Sequence, residues 1–177
     1  QHPCDPLAGL TAAADLASPV AVPPFTNAAM DGFAVNSADT AAARPDSPVH
    51  LSVAGSIVAG MAPPATSAAG SAWEIMTGAP LPPGCDAVIP IERSEVLRDP
   101  AGRPLAVLLR EALAPGHNRR EAGEDFRAGD RLIAAGRALD APAVMALAAT
   151  GTTGLLARPA PRVAVIDPLL DGRSGQQ

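Results

Sequence analysis

The chain has 177 residues, 13 Lys+Arg against 18 Asp+Glu, and a formal net charge of −5. Hydrophobic residues make up 47%, yet only three Phe, one Trp and no Tyr are among them, and 20 Pro with 16 Gly favour many short elements over thin cores of Ala, Val, Leu and Ile. The acidic balance and scarce rings disfavour a nucleic-acid partner, and no run of about 20 bulky apolar residues is present to span a membrane, so a soluble, cytoplasmic protein is expected.

Asp5 as N-cap and Pro6 in the first turn predict a helix from the Ala-rich run that follows, closed by Ser18-Pro19. Val22 to Pro24 is stiff and extended. Asp31-Gly32 is a turn signal ahead of the apolar Phe33-Ala34-Val35, and Val49, Leu51 and Val53 alternate with polar or small residues as a half-buried strand does. Loops are expected over 40–48 and 60–72, and a short strand at Glu74-Ile75-Met76. Asp86 to Val96 reads as one strand, Asp99-Pro100-Ala101-Gly102 as a turn, and Leu105 to Arg110 as the returning strand of a hairpin.

Residues 115–130 form a polar loop. Asp140 then caps a helix with Pro142 in its first turn and Gly151 past its end. Strands near 154–158 and at Arg162–Ile166 finish the readable part, and 167–177 read as a tail. The expected class is α+β, mainly β, with few short helices. Cys4 and Cys85 are too few for a disulfide framework and lack metal-ligand spacing.

Three segments place a polar residue beside Gly at a sharp turn: Met30-Asp31-Gly32, Met76-Thr77-Gly78 and Gly123-Glu124-Asp125. Glycine lets backbone N–H groups approach a ligand, carboxylates hold hard cations such as Mg²⁺, and the adjacent Arg119 and Arg120 offer forked donors to a phosphate. Each segment also has a plain reading, since Asp-Gly makes turns and Thr-Gly-Ala-Pro ends strands. The residues alone lead to a β-rich domain with loops suited to an anion and a metal.

The stretch from Val22 to Val35, containing Asn27-Ala28-Ala29-Met30-Asp31-Gly32-Phe33-Ala34, resembles the opening motif of the MoeA/gephyrin family of molybdopterin molybdenumtransferases. Ile75-Met76-Thr77-Gly78-Ala79-Pro80-Leu81-Pro82-Pro83-Gly84-Cys85-Asp86-Ala87-Val88-Ile89 is similar to the second motif. Gly116-His117-Asn118-Arg119-Arg120-Glu121-Ala122-Gly123-Glu124-Asp125 is similar to the third, and Pro161 to Ile166 to the strand leading into the family's cofactor domain. The match runs over residues 7–166 in order. Ala28, Asn36 and Glu74 depart from the family pattern, and after Ile166 the chain runs into Asp167-Pro168-Leu169-Leu170 in place of the family's continuation.

The resemblance implies two small subdomains of coiled and bifurcated β-sheet: an inner one from residues 1–24 with 123–166, and an outer one from 25–122. It confines the first helix to residues 6–12. Leu7 and Leu10 are then expected to pack on Val144, Leu147 and Leu156, and Val88, Ile91, Leu105 and Val107 to fill the outer core.

The implied reaction is Mg²⁺-dependent insertion of molybdate into adenylylated molybdopterin. Asp31, Thr77 and Asp125 carry over as catalytic, with Asp31 and Asp125 at the metal and Arg120, Gly32 and Gly78 at the substrate. The family site lies between this arm and the cofactor domain of the other protomer. The expectations are therefore a homodimer, a molybdopterin-binding domain or protein as partner, and inactivity of the chain alone. The alternative is a stand-alone, non-catalytic arm acting as a dimerisation or binding module.

Overall fold

The structure is a computed structural model and describes Leu7 and residues 9–164. It is α+β and mainly β, with twelve short strands and one α-helix among the described residues. No helix among them is long and apolar enough to cross a membrane. Backbone proximity divides the chain into two compact units, one of residues 18–130 and one that joins the segment up to Ala17 with the segment from Arg131 onward. Residues 18–24 and 123–130, assigned above to the inner subdomain, fall in the larger unit.

In the smaller unit, β1 (Thr11–Ala12) pairs antiparallel with β12 (Ala157–Arg158), and β2 (Leu16–Ala17) with β11 (Arg131–Ile133). Thr11 and Ala12 are thus strand, where a helix was expected to end. Helix α1 spans Ala141–Ala149; the Asp140 side chain accepts from Ala143 N–H at 2.9 Å, and Gly151 follows with φ +67°. This is the cap arrangement that its sequence prescribes. Ala143 and Leu147 are buried, whereas Leu156 is 74% exposed and takes no part in the expected core. Over its described part, 162–164, the expected strand Arg162–Ile166 has no regular structure. The rest of that strand, the tail, Cys4 and the residues proposed to begin the first helix lie outside the described residues.

The larger unit is built on a six-stranded sheet. Its members are β4 (Gly32–Val35), β5 (Val49–Ile57), β6 (Ser71–Ile75), β7 (Ala87–Pro90), β8 (Glu95–Arg98) and β9 (Pro104–Leu109), in the order β7-β4-β6-β5-β9-β8. The remaining two, β3 (Asn27–Ala28) and β10 (Arg119–Arg120), pair separately. The expected single strand Asp86–Val96 is therefore two strands on opposite edges, broken by a 3₁₀ turn at Ile91–Arg93. Only β8 and β9 form the hairpin. Six strands ~4.8 Å apart would span ~24 Å if flat. The five steps from Pro90 to Glu95 reach at most ~19 Å, so the sheet curls until its edges approach.

Curling gives the sheet two apolar faces. Phe33, Val35, Leu51, Ala72, Ala87, Ile89, Val107 and Leu109 fill one side; Ala34, Ile57, Ile75, Ala79 and Val88 fill the other. Alternation along β4 and β7 sends successive residues to different cores, which is why all four residues of each are buried. Val88 and Val107 are interior as expected; Ile91 is 38% exposed because it sits in the turn, and Leu105 is 56% exposed beside the irregular pairing of Pro104 with Arg98. The single Trp73 lies over Gly55, 2.7 Å from where a side chain there would begin, so only glycine fits beneath it.

Candidate functional site

β4 and β6 are antiparallel, with Gly32 opposite Ile75. That register sets Asp31, just before β4, beside Thr77, just after β6. Asp31 Oδ1 accepts from Thr77 N–H at 2.7 Å and from Thr77 Oγ1 at 2.6 Å. Both residues are exposed, and these two hydrogen bonds, the hydroxyl first, hold the Asp31 carboxyl below its ordinary value.

The two glycines singled out with them have structural work. Gly32 is buried, and a Cβ there would lie 1.9 Å from the Ile89 carbonyl oxygen, so glycine lets β4 sit against β7. Gly78 turns the chain with φ +79° and donates its N–H to the Ala28 carbonyl at 2.9 Å, where an anion cradle would need that donor free.

Arg120 and Asp125 form the second pair, with Arg120 Nη2 donating to Asp125 Oδ2 at 2.6 Å. The same contact raises the Arg120 guanidinium above its usual value. β10 positions Arg120 by pairing it with Asn27 of β3. The following loop is pinned to the extended segment at its start: Gly123 N–H bonds to Pro23 O and Asp125 N–H to Val22 O, each at 2.9 Å.

Ala28 joins the three motifs. Its N–H donates to Ala79 O, its carbonyl accepts from Gly78, and it stands opposite Arg119 in the β3–β10 pair. Among the described residues no hydrogen bond or ion pair connects Asp31 or Thr77 with Arg120 or Asp125 directly.

Two residues, Asn118 and Glu121, were not singled out beforehand. Asn118 holds a left-handed backbone at φ 52°, and its side-chain amide donates to Val88 O at 3.1 Å. Just ahead of Arg119 and Arg120, it fixes where they begin; an Asn between Gly116 and two arginines was the available signal. Glu121 pairs with Arg119 and accepts from Thr26 Oγ1 at 3.1 Å, while Arg119 Nε is buried with no partner among the described groups.

Mg²⁺ takes about six oxygen ligands. Asp31 Oδ1 is engaged by Thr77 and Asp125 Oδ2 by Arg120. No group of three or more His, Cys, Asp or Glu side chains is placed to hold a metal among the described residues. These residues do not by themselves make a Mg²⁺ site.

A family model described as the MoeA N-terminal region (domain I and II) matches residues 2–151. The chain is 40% identical over 159 residues to molybdopterin molybdenumtransferase 2 of Mycobacterium tuberculosis, across 89% of this chain and 38% of that protein. It is 41% identical over 140 residues to the molybdopterin molybdenumtransferase of Synechococcus elongatus, across 78% and 33%. The crystal structure of the molybdopterin biosynthesis MoeA protein from Pyrococcus horikoshii OT3 matches with a TM-score of 0.78 at 30% identity, across 86% of this chain and 39% of that one. The chain spans less than two fifths of each of these proteins.

Proposed function

The chain belongs to the MoeA family, to its N-terminal region, and from that premise we propose that it serves as the arm of a molybdopterin molybdenumtransferase in molybdenum cofactor biosynthesis. The reaction proposed is insertion of molybdate into adenylylated molybdopterin. The observation that supports it is the meeting of Asp31 and Thr77, 46 residues apart, through two short hydrogen bonds at the exposed end of β4 and β6.

In this reading Arg120 offers its guanidinium to an oxyanion. The pair it makes with Asp125 is about half exposed, and such pairs contribute little, so an incoming anion displaces Asp125 at small cost. Asp31, its charged form further stabilised by Thr77, supplies a fixed negative charge and hydrogen-bond acceptors. Mg²⁺ belongs to the proposed reaction, but it needs ligands beyond Asp31 and Asp125, and no step here runs through it. A homodimer, a molybdopterin-binding domain or protein as partner, and a cytoplasmic location are parts of the same proposal.

The test is a spliced enzyme: residues 2–151 replace the matched N-terminal region of the Mycobacterium tuberculosis relative, and molybdenum insertion is assayed with molybdate and Mg²⁺. Turnover by the spliced enzyme, with none from the 177-residue chain alone, is the expected result. An inert but folded splice would sink the reading and leave the non-catalytic dimerisation or binding module in its place.

A further inference from the structure

We propose that Asn118 is a positioning residue: it sets Arg120 against the Asp31–Thr77 turn by fixing the point at which the chain leaves the edge of β7 and crosses to β3. The inference rests on the function proposed above and concerns how the two halves of its site are held in register.

Residues 116–118 run along the outer edge of β7. Gly116 N–H donates to Asp86 O at 2.8 Å, and Val88 N–H donates to His117 O at 2.9 Å. The next acceptor on that edge is Val88 O, and it takes its hydrogen from the Asn118 side-chain amide at 3.1 Å. By then the backbone of Asn118 has turned away, with φ 52°, and its carbonyl accepts from Ala29 N–H at 2.9 Å. One residue thus bonds to β7 with its side chain and to the run before Asp31 with its main chain.

Few side chains can do both. Glycine accepts the left-handed backbone but leaves Val88 O without this donor. Aspartate tolerates the same backbone, yet its carboxylate sets lone pairs against the Val88 carbonyl. Asparagine combines the backbone with a short amide donor.

Both arms of the joint lead to the candidate site. Ala29 lies two residues before Asp31, and Arg120 lies two residues after Asn118, paired with Asn27. Because no hydrogen bond or ion pair among the described residues joins Asp31 or Thr77 to Arg120 or Asp125, the backbone between them sets their spacing. Ala28 contributes to that link with main-chain groups that any residue but proline would supply. Asn118 contributes with a side chain, so its part can be removed by substitution.

Amide hydrogen exchange in the 177-residue chain and a double-mutant cycle in the spliced enzyme give the test. In Asn118→Gly the Ala29 N–H should exchange at least several-fold faster, the scale of one hydrogen bond, while the amides of β5 and β9 keep their rates. Asn118→Asp should repeat the effect. In the spliced enzyme Asn118→Gly should slow single-turnover insertion at least several-fold, yet add nothing once Arg120→Gln is present, because it acts through that guanidinium. A residue that only supports the fold would instead multiply the two losses.

Ala29 exchange that is unchanged in either variant, or a speeding shared equally by β5 and β9, would overturn the assignment. So would insertion at the parent rate by the Asn118→Gly splice, or losses that multiply. A parent splice without turnover would sink the proposed function and this role with it. Turnover by the parent splice together with any of the overturning results would remove this inference alone.

Discussion

Thr77 gives both of its hydrogen-bond donors to one oxygen of Asp31, at 2.7 and 2.6 Å. The contact ties two turns that leave neighbouring antiparallel strands at the same end. It depends on the pairing of Gly32 with Ile75: a slip of one residue in that register would turn Asp31 to the other face.

The first consequence is electrostatic. Two donors to the carboxylate stabilise its charged form, so Asp31 should titrate below an ordinary aspartate. Because its folded value is depressed, the stabilisation is fully present above the unfolded aspartate value and is lost as pH falls through the folded one. Carboxyl carbon shifts followed by NMR should show this, and Thr77→Val should return Asp31 toward the ordinary value. An Asp31 that titrates normally in the parent chain would contradict the hydrogen bonding described.

Two glycine substitutions should separate packing from backbone strain. A Cβ at Gly32 would lie 1.9 Å from the Ile89 carbonyl oxygen, within a strand paired on both sides. Gly32→Ala should cost about 3 kcal/mol or more. Around Gly78 no atom lies within 4 Å of a Cβ, so only its φ of +79° opposes a side chain, and Gly78→Ala should cost about 1 kcal/mol. Denaturant unfolding of the two variants measures the difference. A milder effect at Gly32 than at Gly78 would be the wrong order.

Arg120 lies on the surface with Asp125, where an ion pair adds little stability. Arg120→Gln should therefore leave the unfolding midpoint of the chain unchanged while lowering turnover of the spliced enzyme. If unfolding shifts and turnover does not, the pair is a structural clasp for the loop that ends at Asp125.

The motifs of the candidate site were legible because each is a contiguous run with its own turn chemistry: Asp31-Gly32, Thr77-Gly78, Gly123-Glu124-Asp125. Helix α1 was equally legible, since Asp140, Pro142 and Gly151 mark both of its ends. Long-range pairing was not. Asp86 to Val96 has no Gly or Asp at its break, only Pro90 ahead of Ile91, and local alternation cannot reveal that β7 seeks β4 while β8 turns back on β9. That same hidden pairing made Ile91 and Leu105 look interior.

The glycines also have roles that local sequence does not display. Beside a ligand loop they read as room for a substrate, but Gly32 makes room for the Ile89 backbone and Gly78 spends its N–H on Ala28. Which partner a glycine accommodates is settled by the strands packed against it, and those come from distant parts of the chain. Asn118 is a mixed case: its residue type signals a left-handed backbone, but its bond to Val88 becomes visible only once β7 is placed.

In the proposed function Asp31, held by Thr77, acts in molybdenum insertion. Its most direct test is single-turnover insertion by the spliced enzyme carrying Asp31→Asn, alongside its denaturant unfolding. The prediction is a fall on the order of 100-fold in rate, the scale typical of removing a positioned polar group from a reaction centre, with the unfolding midpoint nearly unchanged. Insertion at the parent rate by the folded variant would contradict it.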